Sequence, residues 1–193
     1  MEREQFRKEA YDFIYTNNDI YQQHYSKIYR YFNVWDYICR RLSNLNYKND
    51  NLLDLGCGAG HLANMLYDRK FKNYIGIDFS NVAIQKAKIC APTYTFIEAD
   101  LRNIDYSVYK DFKIISVETF EHLENDIKII KKLPKNNYII FSVPNYLCDN
   151  HYRVYDNPKF IKNYYKDVLN IIRIKSFNIS EQNIIFVVEA NIK

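Results

Sequence analysis

The chain has 193 residues, 48% of them hydrophobic, and 27 basic against 23 acidic side chains leave a net charge of +4. That is apolar material for one globular domain, and the field is too mild to demand nucleic acid as a partner. No apolar run reaches the roughly 18 residues of a membrane span, and Cys39, Cys57, Cys90 and Cys148 stand far apart without a C-x-x-C pair. The expectations are therefore a cytoplasmic protein with lone thiols, no membrane and no metal centre.

In the first 45 residues, Phe6, Ala10, Phe13, Ile14, Tyr21, Tyr25, Ile28, Tyr29, Phe32, Trp35 and Ile38 recur at helical spacing. The pattern predicts two or three helices that cap the remainder and serve as a lid. Nineteen Tyr and twelve Phe fit a drift of the whole composition better than a dedicated aromatic surface.

Beyond residue 45, short β-rich runs alternate with helical segments, the pattern of a parallel sheet covered on both faces. Strands are predicted at 51–55, 74–78, 93–98, 112–117, 137–143, 170–177 and 183–190, the last two pairing antiparallel. Helices are predicted near 60–69, 80–89, 124–132 and 158–167. The expected organisation is a single domain over 1–193, with a cap over 1–45 and a cofactor-binding core over 46–193.

The first strand runs into Asp54-Leu55-Gly56-Cys57-Gly58-Ala59-Gly60, a tight turn that offers bare backbone and a helix start to a ligand. His61 stands where the dinucleotide fingerprint needs its third glycine, so a nicotinamide cofactor is disfavoured. No G-x-x-x-x-G-K-[ST] loop supports a nucleoside triphosphate. The second strand ends in Asp78, about 20 residues after Gly58, a spacing that suits a carboxylate on ribose hydroxyls. The alternative for Asp78 is to cap the following helix, a task Ser80 is equally able to do. The third strand ends near Asp100 and Leu101 at the same sheet edge.

These motifs resemble those of the class I S-adenosylmethionine-dependent methyltransferases. Residues 54–60 look like the family's first motif, Ile75-Gly76-Ile77-Asp78 its second, Glu98-Ala99-Asp100-Leu101 its third, and Val117-Glu118-Thr119-Phe120-Glu121-His122-Leu123 its fourth-strand motif. The resemblance implies an α/β, Rossmann-like three-layer sandwich with a seven-stranded, mostly parallel sheet, its last strand antiparallel. It implies S-adenosylmethionine as cofactor, with Gly56, Cys57, Gly58 and Gly60 toward the methionine part, Asp78 at the ribose, and Asp54 and Ser80 among the cofactor-binding residues. Phe79 would lie on adenine, Asp100 and Leu101 at its edge, and Glu118 and Thr119 would complete the site. Lys135-Asn136-Asn137 departs from the family, replacing a glycine-containing turn.

Methyl transfer is an in-line displacement in which orientation and exclusion of water do most of the work. A hydroxyl or protonated amine also needs a base, for which His122 is the first candidate; its alternative is to pin the turn or shape the pocket. Asn145, His151 and Arg153, in a polar loop after the fifth strand, are expected at the acceptor together with Tyr25 and Tyr29 of the lid. Proline-turn, surface and ion-pair roles compete for the loop residues, and helix packing for the tyrosines. The acceptor expected is a small molecule methylated on oxygen or nitrogen. RNA or protein is the second reading, prompted by Lys159, Lys162, Lys166, Arg173 and Lys175. A non-catalytic S-adenosylmethionine-binding partner protein is the third.

Overall fold

The structure, a computed structural model, describes residues 8–148 and 150–193; Phe6 of the expected stripe lies outside them. Backbone contacts divide the chain into two compact units, residues 1–104 and 105–193.

The first unit opens with α1 (Lys8–Asn17) and α2 (Tyr29–Asn44), separated by two short 3-10 turns. The helical pattern breaks at Asn18, whose side chain accepts the Ile20 amide. Asn commonly diverts backbone bonding in this way. Ile28, Trp35 and Ile38 are buried as the stripe predicts, but Phe13 and Tyr29 are exposed, at 67% and 83%. Three parallel strands follow, β1 (Asn51–Leu55), β2 (Asn73–Asp78) and β3 (Thr95–Glu98), in the order β3-β2-β1. Helices α3 (His61–Asp68) and α4 (Asn81–Cys90) connect them. Leu55 pairs with Ile77 and Asp78 with Glu98, so the three strands end together and the loops that follow share one edge.

The second unit contains β4 (Phe112–Val117), α5 (Asp126–Ile130), β5 (Tyr138–Pro144), α6 (Pro158–Tyr165), β6 (Leu169–Asn178) and β7 (Ile184–Ile192), its strands ordered β4-β5-β7-β6. β4 and β5 are parallel, whereas β7 runs antiparallel to both β5 and β6. Seven mostly parallel strands with flanking helices and an antiparallel final strand make this an α/β, Rossmann-like fold. α5 is shorter than predicted: after Ile130 the chain tightens into i→i+3 bonds, Lys132 to Ile129 and Leu133 to Ile130, ahead of Pro134, which disfavours helix in the residue before it. The Lys135–Asn137 turn is made without glycine: Asn136 takes φ +66°, a left-handed conformation that Asn tolerates better than most residues.

Candidate active site

The turn after β1 is built on positive φ at Gly56, Gly58 and Gly60. The Gly56 and Cys57 amides both donate to the Ile77 carbonyl, at 2.8 and 3.0 Å, fastening the turn to the end of β2. Asp78, buried there, completes the fastening. Its Oδ2 accepts the Gly58 amide and its Oδ1 the Ser80 amide, each at 2.9 Å. Ser80, not Asp78, caps α4, its hydroxyl accepting the Ala83 amide at 3.1 Å. Burial pushes the Asp78 carboxyl up to about 6, against the lowering effect of the two amides. Cys57 is buried and its thiol is driven well up by burial and by Asp78, which leaves it unreactive.

Asp54 is 2% exposed. Its Oδ2 accepts the Tyr74 hydroxyl at 2.6 Å, while Oδ1 has no hydrogen-bond partner among the described residues. An orphaned buried carboxylate oxygen is costly, and an ammonium group would satisfy it, so the residues at this turn fit an amino-acid tail. Burial raises the Asp54 carboxyl to about 6. An acid whose folded pKa lies above its unfolded value stabilises fully below the unfolded value and loses that contribution as pH rises through the folded one. As pH rises from about 4 to 6, Asp54→Asn should therefore gain stability relative to the unmodified protein, by roughly 3 kcal/mol at pH 7. Melting temperatures of the two proteins across that window check this.

Lys8, Tyr11, Asp12 and Tyr15 of α1 were not singled out by sequence, yet they lie on these same residues. Asp12 accepts the Ser80 hydroxyl and faces the Val82 amide at 3.5 Å. Tyr11 meets Phe79 edge-on with ring centroids 5.0 Å apart, and the Tyr15 hydroxyl sits 3.1 Å from where a Cβ on Gly58 would be. Lys8 pairs with Glu98. The one available sign was the charged pair Lys8 and Asp12, one helical turn apart inside an apolar stripe. Asp100 accepts the Arg102 amide at 2.8 Å and pairs with its guanidinium, which holds the carboxyl below its usual range; Leu101 beside it is buried.

Tyr25 donates to Asp68 at 2.8 Å, at the far end of α3 from the glycine turn and about 10 Å along the helix at 1.5 Å per residue. Tyr29 is turned to solvent.

In the second unit, Glu118 follows β4 with φ +51°. Its carboxylate accepts the Ser142 hydroxyl at 2.7 Å and the Tyr146 hydroxyl at 3.4 Å. The Thr119 hydroxyl donates to the Val117 carbonyl at 3.2 Å. His122 donates through Nδ1 to the Asn150 carbonyl at 3.1 Å, and its ring meets His151 edge-on at 4.7 Å. Burial, aided by His151, lowers His122 to about 4, so it is neutral at pH 7 and ties together two segments of chain. His151 is buried and donates through Nδ1 to the Tyr146 carbonyl at 3.1 Å. Glu121, fully buried, lies beside both rings.

Asn145 and Arg153 bond within the second unit. Asn145 accepts the Ile184 amide at 2.6 Å and donates to the Gln182 carbonyl at 3.2 Å, closing β5 onto β7. Arg153 pairs with buried Asp126 at 3.1 Å and donates to the Glu124 carbonyl. Both side chains are committed to structure.

Residues 46–183 match the methyltransferase domain family, and the chain belongs to that family, within the class I S-adenosylmethionine-dependent methyltransferases. A human eEF1A lysine and N-terminal methyltransferase is 26% identical over 90 residues, covering 45% of this chain. The chain spans only 13% of that relative's length. Among solved structures, magnesium protoporphyrin IX methyltransferase from Synechocystis PCC 6803 with bound S-adenosylmethionine is 16% identical, with a TM-score of 0.72 over 95% of this chain and 96% of the other. The [4+2]-cyclase SpnF is 11% identical, with a TM-score of 0.60 over 74% and 75%. These structural likenesses concern the fold, which by itself does not fix the reaction. The family's cofactor is S-adenosylmethionine, and Asp54 and the glycine turn fit its amino-acid end.

Proposed function

We propose that the chain transfers a methyl group from S-adenosylmethionine to a small-molecule oxygen or nitrogen acceptor. The observation that carries the cofactor half is the 2.9 Å bond from the Gly58 amide to Asp78. It joins bare main chain and a carboxylate at one place, so a single ligand with an amino-acid tail and a sugar diol can use both. When bound, the cofactor supplies an electrophilic methyl on a sulfonium. Asp54 would take the ammonium on its orphaned oxygen, and Asp78 would accept from the ribose hydroxyls with the lone pairs left over from its two amides. Tyr11, in contact with Phe79, would help exclude water from the adenine side.

Calorimetry with S-adenosylmethionine, NAD and ATP tests the ligand class. Binding in the micromolar range by the first alone is expected, and Asp78→Ala should weaken it by about 1 to 3 kcal/mol. Unchanged affinity in a folded Asp78→Ala protein removes Asp78 from the ribose role. An acceptor screen that follows S-adenosylhomocysteine tests turnover. Binding without turnover would favour the non-catalytic reading.

A protein or RNA acceptor is the second reading. It is favoured by the human relative and by Lys159, Lys162 and Lys166, all exposed on or just after α6. Methylation of a protein or RNA substrate in the same screen, with no small molecule accepted, would replace the first reading with this one.

A further inference from the structure

We propose that Glu121, His122 and His151 form a binding site for a divalent transition-metal cation. The inference goes beyond methyl transfer and does not depend on it.

The starting point is an unpaid electrostatic debt at Glu121. The side chain is 0% exposed, and among the described residues neither carboxylate oxygen has a hydrogen-bond partner. A lone buried carboxylate costs several kcal/mol. Protonation would not settle the matter, because the resulting hydroxyl would still need an acceptor. Two imidazoles stand beside it instead. One donor atom from each of Glu121, His122 and His151 lies within 4.8 Å of the others, and His122 Nε2 is 3.9 Å from Glu121 Oε1. Donors sharing one ion at about 2.0 to 2.2 Å are themselves roughly 3 to 4 Å apart, so small rotations about the side-chain bonds would bring the three into range.

The surroundings set the rings for this purpose. Each histidine spends its Nδ1–H on a backbone carbonyl at 3.1 Å, His122 on Asn150 and His151 on Tyr146. That fixes the neutral tautomer with the lone pair on Nε2, the arrangement by which outer partners orient metal-binding imidazoles. The Tyr146 hydroxyl bonds Glu118, which is itself anchored by Ser142. The Tyr152 amide donates to the Glu121 carbonyl at 2.7 Å, holding the segment that bears His151 against the segment that bears the other two. Two imidazoles and one carboxylate suit Zn²⁺, Fe²⁺, Co²⁺ or Mn²⁺ better than Ca²⁺ or Mg²⁺. Three protein donors also leave a coordination position for water or another oxygen ligand. The sequence expectation of no metal rested on cysteine spacing, which carries no information about a histidine brought in from a distant loop.

The test uses the full chain, freed of metal by a chelator and titrated with Co²⁺, with visible absorption and calorimetry as readouts. One equivalent should bind with d–d bands, Zn²⁺ should displace it and Mg²⁺ should not. Glu121→Gln and His151→Ala should each weaken uptake at least about tenfold. Zn²⁺ should raise the melting temperature of the unmodified protein and leave that of Glu121→Gln unmoved. Because Glu121→Gln removes a buried charge, it should fold even if His151→Ala does not. Absence of stoichiometric uptake, or equal uptake by folded Glu121→Gln, overturns the site.

Discussion

Asp126→Ala should destabilise the protein by roughly 3 to 5 kcal/mol, measured as a lower urea midpoint at unchanged slope. Asp126, fully buried at the start of α5, accepts the hydroxyls of Tyr164 at 2.8 Å, Tyr165 at 2.6 Å and Tyr155 at 3.3 Å, and pairs with Arg153 at 3.1 Å. Removing it takes the ion-pair partner from a largely buried guanidinium and the acceptor from Tyr164, and leaves Tyr155 and Tyr165 with each other's hydroxyl at 2.8 Å; buried groups underpaired in this way cost more than the pair itself is worth. Tyr164→Phe deletes one of these donors and should cost only about 1 kcal/mol. Equal losses in the two variants would show that packing of the rings, and not the shared carboxylate, holds the cluster.

Gly60→Ala should cost about 2 to 4 kcal/mol, from left-handed backbone and overpacking together. Gly60 has φ +84°, and a Cβ there would lie 2.8 Å from the Ala87 Cα and 2.9 Å from its Cβ. The obstacle is helix backbone, which cannot swing aside as a long side chain would. Gly58→Ala is the informative comparison. Its φ is +53°, but the Cβ would approach only the Tyr15 hydroxyl, at 3.1 Å, the movable end of a side chain. Thermal melts of both variants should rank Gly60→Ala as the more damaging.

The elements that follow local rules were legible in the sequence. β1 and β4 fall at their predicted bounds because apolar runs flanked by turn residues fix them, and the antiparallel pairing of β6 and β7 follows from the short connection between them. Ser80 takes the capping task, which leaves Asp78 to the turn after β1, a division visible in two neighbouring residues. The partners of Asn145 and Arg153 were not legible for the opposite reason: Ile184 and Gln182 for one and Asp126 for the other lie far along the chain, and polar residues after a strand look alike whether they meet a ligand or another loop. The positions of Tyr25 and Tyr29 do not follow from the helical periodicity, because the break at Asn18 interrupts it. Asp12 and Tyr15 were missed because a polar group on an otherwise apolar stripe reads as a solvated position until its partner is known.

The way α1 is held has a consequence for turnover. The helix buries no side chain completely. It rests on the end of β2 and the start of α4 through Asp12 on Ser80, Tyr11 on Phe79 and Tyr15 near Gly58. A segment secured by a few side-chain hydrogen bonds and ring contacts lifts at far less expense than a core element melts. Admission and discharge of any nucleoside at that edge would then be paced by a hinge-like unfastening of ten residues, leaving the strands beneath undisturbed.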